Sequence, residues 1–508
     1  MESPIPILIG VETEYGIHVE RSEGEGEPDV VADSIALVRC ASEPGVWMVW
    51  DYSAEDPHRD ARGFHVDQLR QDTDEAAYVD QDARRELSYV EVKSDLALSN
   101  GGRFYNDHAH PEFCTPECAT PGELAQQDRA GEWLVRNCAR TLGGKLGRPV
   151  RIYKNNTDFQ GHSYGCHENY LLPRALPWEK LARAMQAFLV TRQIYAGAGK
   201  FGWEAEDRFL ESHFQISQRA DFFSELQSVD TMQRRPLINT RDEPHANPSL
   251  YRRFHVILGD ANMSPFATRL KVGATALVLE AAARAPDLDW PVLEHPLEAV
   301  RSISRDPDFA WKVRCERNRF ASALEVQSWY LEMAGRWCNT AESWKTALMS
   351  DWAQVMKDLA EDPFRCRHRL DWPAKLHWIR RFQRDEGLSD SDPWLRSLDL
   401  QYHLLDPAEG LFAALESSGE MEAGEPDEAS ARALRSPPAI TRAAVRGKLI
   451  EKFPARVLAA QWDHVLLEGK AGVVRVDLTD LFAPDDISRY LQRIEAARAV
   501  DDLRGLDD

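Results

Sequence analysis

Apolar residues along this chain recur in some stretches at every second position and in others at every third or fourth, and their order predicts a mixed fold. Residues 5–14 read as a strand, with Ile5, Ile7, Leu8, Ile9 and Val11 leading into Glu12-Thr13-Glu14 before Tyr15-Gly16 ends the run. Further strands are predicted at 103–107, after the turn signal Asn100-Gly101-Gly102, and at 150–154, 164–172 and 254–259. The plainest helix is 178–196, where Leu181, Met185, Phe188 and Leu189 repeat at the spacing of one buried face and Gly197 is placed to end it. Helical spacing also marks 128–142, 271–285, 321–336, 341–359 and 372–385. Two stretches carry neither period. Residues 23–82 are acid-rich and turn-rich and read as a long loop with short helical pieces, and 416–437, rich in Glu, Gly, Ser, Ala and Pro, reads as a mobile connection. Beyond it, a helix at 441–452, strands at 464–467 and 472–477 and a helix at 486–497 form a small terminal unit. The order is α/β or α+β and not doubly wound, with no internal repeat.

A chain of 508 residues can bury a large core, and 28% charged with 43% apolar residues is an ordinary globular composition. The most apolar run, 272–285, is interrupted by Glu280 and too short to span a bilayer. Met1-Glu2-Ser3-Pro4 lacks the basic start of a secretory signal, and eight scattered cysteines suit reduced thiols, so the expected setting is the cytoplasm. The net charge of −22 argues against general nucleic-acid binding. That charge is uneven. Residues 234–271 hold seven basic and three acidic side chains, a basic stretch suited to phosphates or substrate carboxylates, or else to ion pairs with neighbouring acids.

Four segments carry candidate chemistry. In Gly10-Val11-Glu12-Thr13-Glu14, side chains two apart on a strand share a face, so Glu12 and Glu14 lie roughly 7 Å apart on one side. Two carboxylates so placed repel unless a cation joins them, and Mg²⁺ takes oxygen ligands of this kind. A solvated strand face is the alternative, and the flanking Ile7-Leu8-Ile9 speaks for a central strand instead. The second segment, Asp107-His108-Ala109-His110-Pro111-Glu112, places four ionisable groups in six residues, with Cys114 and Cys118 following. A zinc site would need a second ligand pair at wider spacing, so a carboxylate site for hard cations is favoured.

The third segment includes Cys166-His167-Glu168-Asn169. Neighbours on a strand face opposite ways, which argues against a Cys166–His167 nucleophile pair. The fourth joins Asn239-Thr240-Arg241-Asp242-Glu243-Pro244-His245 to Tyr251-Arg252-Arg253-Phe254-His255, dense in basic and amide groups. Gly197-Ala198-Gly199-Lys200 is only superficially a P-loop: Ile194 and Phe201 stand where its first glycine and its hydroxyl residue belong.

Together these segments, with Leu370-Asp371-Trp372-Pro373-Ala374-Lys375 and Trp462-Asp463, resemble one family over nearly the whole chain: the Pup ligases and the depupylases that deamidate or remove Pup. The resemblance implies a glutamine-synthetase-like α+β domain over residues 1–430, with a curved, mainly antiparallel sheet flanked by helices, an insertion at about 40–82, and a small C-terminal domain at 438–508. It implies Asp107 as catalytic base or nucleophile and Glu12, Glu14, Glu112 and His167 around Mg²⁺. Arg241, His245 and Trp462 would meet ATP, or ADP with phosphate, while Arg234, Arg235, Arg252 and Arg253 would form a basic groove for acidic Pup. The implied partners are Pup and pupylated proteins, with an indirect link to a bacterial proteasome, and no nucleic acid or membrane.

Trp50-Asp51-Tyr52-Ser53-Ala54-Glu55 through Gly63-Phe64 resembles the insertion that depupylases carry and ligases lack, and Asp107–Glu112 and Gly259-Asp260-Ala261-Asn262 read the same way. Val11-Glu12-Thr13-Glu14 and Cys166–Asn169 look more like a ligase. Because an insertion is a whole element and the rest are point differences, the expected activity is depupylation. The alternatives are Pup ligation, a small-molecule carboxylate–amine ligase, and a silent Pup-binding protein.

Overall fold

The computed structural model describes residues 7–26, 28–42, 44–69, 86–205, 208–230 and 235–506. Its centre is a nine-stranded sheet in the order Phe223–Ser228, Arg235–Asn239, Tyr251–Val256, Cys166–Pro173, Ile9–Glu14, His110–Cys114, Arg103–Asp107, Leu96–Leu98, Gly45–Trp47. All pairings are antiparallel except that of Phe223–Ser228 with Arg235–Asn239. Strand Ile9–Glu14 lies at the middle, and its burial alternates residue by residue. Ile9, Val11 and Thr13 face a helical layer, while Gly10, Glu12 and Glu14 face the other way, into a cradle.

The helical layer is apolar for a simple reason. Helix Pro265–Arg284 is buried on nearly every side and packs between Pro121–Leu146, Trp178–Thr191, Ala323–Trp337 and Ser343–Glu361. The helix expected over 178–196 ends at Thr191 and resumes at Gln193–Ala196. The Thr191 hydroxyl donates back to the Ala187 carbonyl at 2.6 Å, a contact that bends helices, and Arg192 leaves the helix face for Glu168. That ion pair fastens the helices to the underside of the sheet. Arg192 meets the Glu168 carboxylate at 2.5 and 2.9 Å, and Tyr170 Oη donates to the same carboxylate at 2.5 Å. All three residues are fully buried.

Two stretches that lacked periodicity are built into the fold. Within 23–82, helix Val30–Val38 packs on the long helix Pro121–Leu146, and Gly45–Trp47 edges the main sheet. Their short length and the surrounding turn residues hid them from the pattern. Within 416–437, helix Asp427–Ala433 packs on Pro121–Leu146 and buries Ala433 and Leu434. The connection is therefore a docked element, held by contacts remote in sequence. After Pro438, helices Arg442–Lys452 and Pro484–Ala496 cover a sheet of Val457–Gln461, His464–Gly469 and Gly472–Asp477, whose fourth strand is Val49–Trp50 from the N-terminal part. Among the described residues no helix is long and apolar enough to cross a membrane.

Removing one partner of the sheet-to-helix ion pair strands the other charge in the core. Arg192→Met is expected to lower unfolding stability by about 3–5 kcal/mol, measured by chemical denaturation, and Arg192→Met with Glu168→Gln should recover part of the loss. A single variant as stable as the parent would show that the pair does not fasten these layers.

Candidate active site

Register builds the site. Across the central strand Glu14 lies opposite Glu112, and Glu12 lies opposite His167. Glu14, Asp107 and Glu112 each place an oxygen within 4.8 Å of the others, and Glu12, His167 and His255 form a second cluster of the same tightness. Asp107 comes from the end of strand Arg103–Asp107, at the tip of a hairpin that returns as His110. His108 there holds φ at +52°, in the left-handed region that lets two residues close the turn. Glu14 is fixed from the backbone: Gly165 N–H donates to its Oε2 at 2.8 Å. A side chain at Gly165 would strike His167 Nε2 at 2.3 Å, so glycine is required there. Asn169 Nδ2 donates to Glu12 Oε1 at 3.0 Å, leaving Oε2 to face His167 Nδ1 at 3.6 Å and His255 Nε2 at 3.8 Å.

Electrostatics separates these carboxyls. Burial pushes Glu112 up, and repulsion from Asp107, Glu14 and Glu12 takes it well above the usual carboxylate range. Burial also works to raise Asp107, but Lys93, His108 and Arg103 outweigh it and hold the group below its usual range. Glu12 is likewise depressed against burial, by His167, His255 and Arg253. Both ring nitrogens of His255 are buried without a hydrogen-bond partner, and burial with the nearby Arg253 keeps its ring neutral, with a lone pair to give. Buried carboxylates in mutual contact and an orphaned neutral imidazole are groups that a divalent cation would satisfy. The all-carboxylate cluster suits a hard cation, and the cluster with two imidazoles suits a softer one as well.

Beside Glu12 the cradle opens into a cleft lined by Gly10, Thr115, Asn169, His245, Arg253 and Trp462. Burial and then Arg253 lower the His245 ring to about 3, so it stays neutral. Trp462 arrives from the C-terminal sheet and packs edge-on against Trp50 at 5.0 Å, with Arg446 over its face at 4.9 Å. Arg241 stays outside this cleft, its Nε donating to the Val229 carbonyl at 3.0 Å.

Of the arginines expected to form one groove, the three that are described are not gathered together. Arg253 joins the cleft and meets Glu243 at 3.4 Å, but its neighbour Arg252 points through the sheet to the Trp178 ring at 5.7 Å, as strand alternation demands. Arg235 lies over Phe222 at 5.8 Å, and Arg234 lies outside the described residues. Cys166 is buried on the helical face beside Thr13 and Lys271, away from His167, and burial raises its thiol, so it is no activated nucleophile. Cys114 and Cys118 belong to neither metal-capable cluster.

Three residues escaped the sequence reading. His255 shares the face of Arg253 and could have been found from that spacing. Lys93 donates to Asp107 Oδ1 at 2.7 Å from a five-residue helix, Tyr89–Lys93, that no periodicity announces. Arg219 is fully buried between Ser163 Oγ, at 3.2 Å, and the Ile257 carbonyl, at 2.6 Å. Burial and the nearby Arg235 lower its guanidinium to about 10, with Glu14 opposing.

Residues 50–66 cross the top of the cradle. Trp50 is buried, and with Tyr52 and Tyr105 it surrounds the Arg103 guanidinium, 4.4, 5.4 and 3.7 Å from the respective rings. At the far end Ala61 N–H donates to the Thr240 carbonyl at 2.7 Å, and Thr240 Oγ1 donates to the buried Asp60 at 2.6 Å. Phe64 is exposed and lies against the Arg62 guanidinium; the buried anchor at this end is Asp60. Glu55, midway, accepts from Gln461 Nε2 at 2.7 Å, and burial with Glu243 repulsion pushes it up to about 7.

The chain as a whole is similar to known proteins. The structure of the complex between prokaryotic ubiquitin-like protein Pup and its ligase PafA covers 99% of this chain and 95% of its own, with a TM-score of 0.77 at 28% identity. A Pup ligase PafA in complex with ADP matches 86% of this chain and 96% of its own, at TM-score 0.72 and 30% identity. The α+β, glutamine-synthetase-like architecture is thus shared with these enzymes. The family described as Pup-ligase protein matches residues 7–466, and the chain belongs to it. A depupylase of Acidothermus cellulolyticus is 39% identical over 484 residues, 92% of this chain and 93% of its own. The Pup deamidase/depupylase of Mycobacterium tuberculosis is 38% identical over 482 residues, 92% of each chain. A Pup–protein ligase of Acidimicrobium ferrooxidans is 40% identical over 414 residues, 79% of this chain and 90% of its own.

Glu55 gives the crossing segment a pH dependence with a definite sign. Its folded pKa, about 7, lies above the ordinary carboxylate value of 4.5, so docking is most stable below about 4.5 and loses stability as pH rises through about 7. Fluorescence of the Trp50–Trp462 contact should report loosening from pH 5 to 8, and Glu55→Gln should flatten that change. An identical profile in the variant would rule Glu55 out as its source.

Proposed function

We propose that this chain is a depupylase: it hydrolyses the isopeptide bond between the C-terminal glutamate of Pup and a substrate lysine, with nucleotide and Mg²⁺ bound. Deamidation of a C-terminal glutamine is the same chemistry with ammonia leaving. The observation that carries the reading is residues 50–66, the segment that resembles the depupylase insertion, which is tied at one end to the C-terminal sheet and at the other to Thr240 above the carboxylate cradle. Two relatives named for depupylation, aligned over 92% of this chain, support it.

Glu14 and Glu112, with Glu12, His167 and His255, would hold Mg²⁺. The cleft of His245, Arg253 and Trp462 would take ATP or ADP. Bound there, a cation would offset the charge of the carboxylates and would supply Lewis-acid polarisation to a substrate carbonyl. Asp107, kept ionised by Lys93, either attacks that carbonyl or takes a proton from the water that does. Arg235 would meet acidic Pup, with residues 438–508 helping to dock it. The setting would be the cytoplasm, in a pathway leading to a bacterial proteasome.

Ligation is the second reading, favoured by the ligase-like Val11–Glu14 and Cys166–Asn169 segments. The two directions differ in whether water or lysine reaches the γ-glutamyl carbon, and in whether the γ-phosphate is consumed to activate a free carboxylate. Incubating the chain with a pupylated protein, and separately with Pup, target and ATP, separates them. Release of Pup without matching ATP consumption is expected; conjugate accumulating in the second tube while the first stays intact would overturn the proposal. Asp107→Asn should lower turnover by about 100-fold or more while Pup still binds. Glu14→Gln should weaken Mg²⁺-dependent nucleotide binding by about 10-fold or more, read by calorimetric titration. Unchanged values would remove these two residues from the roles given.

A further inference from the structure

Asp107 does not stand free at the tip of its hairpin. Lys93 Nζ donates to its Oδ1 at 2.7 Å, while Oδ2 lies 4.0 Å from the His108 ring. The lysine is delivered by a helix of five residues, a length that does not hold itself together in isolation. The surroundings fix it on several sides. Ser88 and Glu91 close a capping box at its start. Arg39 donates to the Glu91 carbonyl at 2.9 Å and to Ser94 Oγ at 3.0 Å, and Asn106 Nδ2 donates to the Val92 carbonyl at 3.1 Å. Ser94 ends the helix at φ +47°, and the Lys93 ammonium rides 5.4 Å from the centre of the Tyr105 ring.

From this geometry we infer that Lys93 is a positioning residue for Asp107: it clamps Oδ1, fixes the rotation of the carboxylate, and leaves Oδ2 as the oxygen that meets the γ-glutamyl carbonyl or its attacking water. A carboxylate close to Glu14 and Glu112 is repelled by both and needs an opposing cation to stay aimed into the cradle. Lys93 supplies that cation from outside the metal clusters. The pair is no loose surface contact, since the two side chains are only 16% and 24% exposed. Asn106, on the same strand as Asp107, also bonds the lysine's helix, so nucleophile and clamp are set by one local structure.

This inference rests on the proposal that Asp107 carries the chemical step, and its test separates the two. The full chain is assayed at steady state for Pup release over a range of pupylated protein, with saturating ATP and Mg²⁺, for wild type, Lys93→Met, Lys93→Arg, Asp107→Asn and the Lys93→Met/Asp107→Asn double variant. Lys93→Met is expected to lower kcat by about 10-fold or more, the scale of a lost charge-assisted hydrogen bond, with KM within about twofold. Lys93→Arg should restore part of it. In the Asp107→Asn background, Lys93→Met should cost nothing further, because a clamp acts only through what it holds. Lys93→Gln, which keeps a donor without the charge, replaces methionine if the melting temperature of the first variant collapses. Wild-type kcat in the uncharged variant, or an equal fold-loss in both backgrounds, would overturn the positioning role while leaving Asp107 in place. Full activity in Asp107→Asn alone would remove the reading beneath it.

Discussion

The antiparallel register of the central strand is the constraint on which the rest depends. Once Ile9–Glu14 is paired with His110–Cys114 on one side and Cys166–Pro173 on the other, Glu14 must face Glu112 and Glu12 must face His167. A slip of that strand by one residue would send Glu12 and Glu14 into the helical layer and bring Val11 and Thr13 into the cradle. The register is held from below, where Ile9 and Val11 sit in the main core and Glu168 is paired with Arg192. The apolar face of the strand therefore specifies the position of the acidic face. Like charges in near contact oppose folding, and the structure tolerates them because Asn169, Gly165, Lys93 and Arg253 each answer part of the charge.

Chemistry follows from how unequally that charge is answered. Asp107 and Glu12 have basic neighbours and stay ionised, whereas Glu112 has Asp107, Glu14 and Glu12 around it and, among the described residues, only the Cys114 thiol as a donor. On the proposed function, a cation-binding site and an anionic reactive group would arise side by side from one row of acids, distinguished by what stands next to each. A nucleophile or base is required to be ionised, and a metal cradle is required to be short of protein cations. Placement of Lys93 on one side and not the other meets both.

The segment over the cradle extends this logic to access. It begins as a strand of the C-terminal sheet, passes Arg103 with Trp50 and Tyr52, and fastens to Thr240 at the opposite end of the main sheet. Helix Arg442–Lys452 is fastened in turn, since Arg442 and Arg446 both meet the buried Glu117. The cleft beside Glu12 is consequently walled by parts of the chain distant in sequence, among them the central strand, the loop at Pro244–His245, and Trp462. Whatever occupies it is enclosed by both the large sheet and the small one.

Local pattern was enough to announce much of this protein. The alternation of Ile9–Glu14 showed two acids on one strand face, helical spacing marked the layer beneath, and the separation of Cys166 from His167 followed from strand geometry alone, because these depend only on the two repeat periods of the backbone. The motif order was also sufficient to indicate the family. Spacing in one dimension contains no record of which strand lies beside which, and only the tertiary structure could decide it. It divided the metal-capable residues into two clusters, brought His255 to Glu12, turned Arg252 away from Arg253, and made docked elements of stretches that read as loops. Lys93 shows the limit most clearly. It lies fourteen residues before Asp107 on a helix too short to have a period, and nothing in the sequence joins the two until the chain folds back and an ion pair forms.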